Sequence, residues 1–227
     1  MRRWASRVVA AALVAVAFVG AARAESAGEV REMLGIGSKD VLSGSVLTAR
    51  VLPGDAKQVV AVTTYFTGKR GEADAVNVRL DVFRREGERL VSLYARDLGA
   101  ENGGYVGRGE VELVDLDGDQ VNEIVITYDD ARSPVVSRRA AEVIVREPSG
   151  FRVAWSGETE YDATRAARDV PSERRDRFVR TLDVASTLKT RGVTLFFRKK
   201  VIAVAGERLP EPKEVVETFP LRTAPEF

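Results

Sequence analysis

From Ser45 onward apolar and polar residues alternate at a period of two, which belongs to half-buried β-strands rather than to helices. Val76, Val78, Leu80 and Val82 fall on one face of such a segment, while Asn77, Arg79 and Asp81 fall on the other. The same pattern predicts strands over residues 45–52, 58–67, 89–97, 109–114, 123–128, 141–147 and 151–156, and again over 178–184, 193–197, 201–205 and 215–219. Turn-forming runs separate them: Pro53-Gly54-Asp55, the stretch 68–71, Glu86-Gly87, Gly103-Gly104 and Pro148-Ser149-Gly150. Connections this short favour antiparallel hairpins. The expected fold is therefore all-β, with antiparallel hairpins in a sandwich or propeller-blade-like arrangement and minor helix, the helix at residues 26–34.

The chain divides along the same lines. Residues 25–160 read as a β domain, 161–177 as a polar, Arg-rich connection, and 178–227 as further strands packed on the same domain and ending in an extended Pro-containing tail. Residues 1–24 read as a cleaved signal peptide. Arg2, Arg3 and Arg7 form the positive flank, the stretch 8–20 is apolar, and Ala22-Arg23-Ala24 offers the small-x-small cleavage pattern. The apolar stretch is shorter than the ~20 residues that cross a bilayer, so the mature chain is expected to carry no transmembrane segment and to reside in the periplasm or outside the cell.

Export changes the charge. Losing residues 1–24 removes four Arg and no acid, leaving 31 basic against 34 acidic residues, a net charge of −3. The absence of Cys means that no disulfide staples the fold, although an exported compartment would permit one. The absence of His removes the usual general base of hydrolytic triads and the commonest zinc ligand. Carboxylate-pair chemistry on glycans survives this filter, because it needs only two acids at the right separation.

The most informative motif lies between two predicted strands. Residues 115–123 read D-L-D-G-D-Q-V-N-E, with carboxylates at positions 1, 3, 5 and 9 of one short loop. Alternate residues of a tightly curled loop can aim their side chains at one centre, and calcium takes six to eight oxygens at about 2.3–2.6 Å. The alternative is an Asp-rich hairpin turn without an ion, since Asp and Gly favour such geometry on their own. An EF-hand would need Gly at position 6 and Glu at position 12; Gln120 and Ile126 stand there.

Asp115, Asp117, Gly118, Asp119, Glu123 and the strand Ile124-Val125-Ile126 instead resemble an integrin-type FG-GAP or VCBS-like repeat, over about residues 109–128. That resemblance implies a calcium ion held by the side chains of Asp115, Asp117, Asp119 and Glu123 and by the Val121 carbonyl, with Gly118 giving the turn room. The pattern's second Gly is Gln120 here; a left-handed backbone at that position would cost a non-Gly residue about 1–2 kcal/mol.

Two weaker signals complete the reading. Between Arg165 and Lys200 there are eleven Lys or Arg against four Asp or Glu, which is either a solvated face or a surface for envelope-assembly partners or polyanions. Stacking aromatics are not interleaved with these charges, so nucleic acid is not expected. Trp155 alternates with Val153 and Phe151 and is expected in the core. Together these features predict an exported, calcium-stabilised, non-enzymatic structural or ligand-binding module, whose partner would be an envelope glycan or another exported protein.

Overall fold

A computed structural model describes residues 41–54, 56–66, 76–98, 106–130, 136–164 and 175–221, with Glu32, Leu34 and Gly35 ahead of them. The signal peptide and most of the helix expected at 26–34 lie outside these residues, although Glu32 and Leu34 themselves are helical.

The described chain is all-β, with eleven strands and one helix described over its whole length. The strands are β1 (Val41–Ala49), β2 (Gln58–Phe66), β3 (Val76–Glu86), β4 (Arg89–Asp97), β5 (Val106–Val114), β6 (Glu123–Asp130), β7 (Ser137–Glu147), β8 (Gly150–Asp162), β9 (Arg177–Leu182), β10 (Thr194–Val204) and β11 (Glu207–Pro220). Helix α1 (Val184–Lys189) lies between β9 and β10. Strands β1–β4 form one sheet and β5–β11 a second, each an antiparallel meander in chain order. Every hydrogen-bonded neighbour is thus a neighbour in sequence, as the short turns require.

The sheets form a sandwich because both faces of the long sheet are apolar. Val60, Val62, Val78, Leu80 and Val82 of the first sheet pack against Ile124, Ile126, Tyr128 and Ile144 of the second. On the opposite face Val125, Val143, Val145 and Trp155 pack against Leu195, Phe197 and Leu221. The long sheet therefore curls so that β10 and the end of β11 cover the outer side of β6–β8. Trp155 is buried as expected, with its ring stacked on Phe197 at a centroid distance of 4.3 Å.

The structure corrects the sequence reading at three places. The expected strand over 178–184 ends at Leu182, and Asp183 caps α1 by accepting the Ser186 N–H at 3.0 Å. The two short strands expected at 193–197 and 201–205 are one strand, β10, carried through Arg198-Lys199-Lys200 by ladders on both sides. The strand expected at 215–219 is longer than expected: residues 207–214, with Pro210 and Pro212 expected only as extended tail, belong to the same strand, β11, an edge strand where Pro210, Pro212 and Pro220 are tolerated. The 161–177 connection is strand at both of its ends; residues 165–174 lie outside the described part.

Candidate metal centre

The acidic loop leaves β5 at Val114 and enters β6 at Glu123, two residues that face one another in the ladder. Its curl is held by its own carboxylates. Asp115 accepts the Gly118 N–H through Oδ1 (2.7 Å) and the Gln120 N–H through Oδ2 (3.0 Å). Asp117 Oδ1 accepts the Asp119 N–H (3.1 Å), and Asp119 Oδ1 accepts the Val121 N–H (2.8 Å). Glu123 reaches back across the loop, its Oε2 accepting the Leu116 N–H at 2.7 Å. Each ionised carboxylate has about four acceptor sites, so these bonds orient the oxygens without exhausting them.

Carboxylate oxygens of Asp115, Asp117 and Glu123 lie within 4.8 Å of one another. Glu123 is only 2% exposed, while the two Asp are partly open to solvent. Asp119 stands outside this trio, with Oδ2 at 4.0 Å from Arg146 Nη2 on β7. Val121 is buried. The donor set is all oxygen and strongly anionic, the chemistry that hard divalent cations take.

Three packing contacts fix the loop from outside. Leu116 is fully buried in the cluster around Trp155 and Phe197. Asn122 donates its backbone N–H (2.7 Å) and its Nδ2 (3.0 Å) to the Arg50 carbonyl, tying the loop to the end of β1. On the other side the turn after α1 presses Gly192, at φ +70°, against Asp117; a Cβ there would stand 2.1 Å from Asp117 Cβ. The loop is thus a junction between the first sheet, β5–β6 and the α1–β10 turn. Its backbone is left-handed at Gly118 (φ +81°) and also at Gln120 (φ +66°), the position where the resemblance calls for Gly.

Sequence reading missed a second polar cluster, on the outer face of the first sheet. Asn77, Arg79 and Asp81 face away from the inter-sheet core as expected, yet Asn77 and Asp81 are buried rather than solvated. Arg79 chelates Asp81 through Nε and Nη2 (2.9–3.0 Å), and Asn77 and Tyr65 both donate to Asp97. Burial raises the Asp81 pKa, against the opposing pull of Arg79. Burial also raises that of Tyr65, helped by the adjacent Asp97. With no exposure to solvent, Asp81 does not offer the solvent-reached carboxylate that glycan chemistry would need. Period-two alternation gives the side a residue faces, not what covers that side.

Many cations of the basic stretch are paired. Arg180 and Lys199 both contact Glu217, and Arg198 contacts Asp183. No helix among the described residues is long and apolar enough to cross a membrane. No family model matches the chain, and neither a curated protein nor a solved structure matches it.

Proposed function

We propose that the protein is an exported structural or ligand-binding module in which calcium, held by the 115–123 loop, fixes a junction between β-elements. One observation carries this reading: three carboxylates converge within 4.8 Å, and one of them, Glu123, is buried. Like charges this close repel, and burial strengthens the repulsion by removing the water that screens it. A divalent cation converts the repulsion into attraction. The FG-GAP or VCBS-like pattern supports the same assignment and adds Asp119 and the Val121 carbonyl as further oxygens. The Arg-flanked apolar stretch of residues 1–24 supports export, and an envelope glycan or another exported protein is the partner class that location favours.

The ion would act through connectivity. The loop is tied to Arg50 on one side and Gly192 on the other, so ordering it orders the end of β1, the β5–β6 hairpin and the α1–β10 turn together. Stabilisation then follows mass action on free calcium. Calorimetric titration of chelator-treated protein tests this. Binding of one calcium with a dissociation constant of about 10⁻⁴–10⁻³ M, in the range of extracellular modules, is expected; absence of heat at millimolar calcium would remove the proposal.

A further inference from the structure

A cavity of about 430 Å³ opens beside the β10–β11 hairpin, far from the acidic loop in the chain. The ladder between these strands is broken beside it. Pairing jumps from Val201 opposite Lys213 to Ala203 opposite Arg208, so residues 209–212 stand across from Ile202 alone. Pro210 and Pro212 lack the N–H that would close the gap. The hairpin tip is fixed in place: Ala205 N–H donates to Asp176 Oδ1 (3.0 Å) and Gly206 N–H to the Arg175 carbonyl (2.8 Å).

Arg177, Lys200 and Arg208 line this cavity together with Thr164, while Ile202 and Pro212 supply an apolar wall. No carboxylate lines it among the described residues. Arg177 (3.3 Å) and the Thr164 hydroxyl (2.6 Å) are both engaged at the rim by Asp162, whereas Lys200, which stands opposite Glu214 in the ladder, and Arg208 form no ion pair among the described residues. This contrasts with Arg180, Arg198 and Lys199 on the same limb, each of which has an acidic partner. Two cations with no ion pair among the described residues, and a third shared with Asp162, match a dianionic oxyanion better than a monoanionic carboxylate. The volume exceeds that of a bare phosphate and leaves room for a small organic group against Ile202 and Pro212.

We infer that this cavity binds a phosphomonoester, presented either by a soluble metabolite or by a lipid headgroup. The test is calorimetric titration with inorganic phosphate and with glycerol 3-phosphate at low ionic strength, beside co-sedimentation with phosphatidylcholine vesicles with and without phosphatidic acid. Saturable binding is expected in at least one arm, weakened about tenfold by Lys200→Gln or by Arg208→Gln and further by both, with melting temperature unchanged because both side chains are exposed. Binding of glycerol 3-phosphate without phosphatidic-acid-dependent sedimentation assigns a soluble ligand. Sedimentation that depends on both phosphatidic acid and these two cations assigns a headgroup. No saturable binding in any arm, or binding that the double variant leaves intact, overturns the inference.

Discussion

At the scale of single residues, Gln120 and Gly192 set the strain in the acidic loop. Gln120 holds a left-handed backbone that a side chain disfavours, so Gln120→Gly is expected to raise stability by about 1 kcal/mol in chemical denaturation, with the denaturant slope unchanged. Gly192→Ala should do the reverse and more, because φ +70° and a 2.1 Å approach to Asp117 both oppose a methyl group. A loss of at least about 2 kcal/mol is expected, together with weaker calcium binding, because Asp117 is the residue displaced. The spacing of Asp115, Asp117 and Glu123 made their convergence legible in the sequence. The drift of Asp119 toward Arg146 and the pressure of Gly192 were not legible, since both partners lie far along the chain and meet the loop only through the curl of the long sheet.

At the scale of elements, strand identity was legible and strand surroundings were not. Turn residues and alternation marked nearly every strand, since each hairpin pairs with its neighbour in sequence and leaves a local trace. Helix α1 was hidden because six residues are too few for a helical period, and its only advance sign was the cap at Asp183. The Asp183 carboxylate is pushed up by burial but pulled further down by the Ser186 N–H and by Arg198, so its pKa is lowered on balance. Its contribution to stability is accordingly present above the ordinary aspartate range and lost as pH falls through the lowered value. Asp183→Ala should cost about 1 kcal/mol at neutral pH, and the difference from the parent should shrink in strong acid. Asp81 has the opposite sign, because its pKa is raised, chiefly by burial. The parent should lose stability as pH rises from the ordinary aspartate range through the raised value, and Asp81→Asn should not. The stability of Asp81→Asn relative to the parent is therefore expected to grow with pH over that window, as urea melts at a series of pH values would show.

At the scale of the whole molecule, the fold is two meanders joined at a junction rather than by covalent staples. With no Cys in the chain, the sheets are held by the apolar face around Leu80 and Ile126, by the Trp155–Phe197 cluster, and by the pairing of Arg96 on β4 with Glu142 on β7 (Nη2–Oε1 2.9 Å). The acidic loop sits where the first sheet, the β5–β6 hairpin and the α1–β10 turn meet, so an ion there would act on the molecule as a unit. The decisive measurement is thermal unfolding of the parent and of Asp117→Asn, each with chelator and with 10 mM calcium, about ten times the weakest affinity expected. Ligand linkage at that ratio gives about 1.4 kcal/mol, or roughly 3–6 °C for a chain of this size. Calcium is expected to raise the parent's melting temperature by at least that amount, and Asp117→Asn to abolish the shift without lowering the chelated melting temperature, because an amide keeps the turn acceptor and removes a repelling charge. A parent that melts at the same temperature with and without calcium would contradict the account, as would a full calcium shift retained in Asp117→Asn.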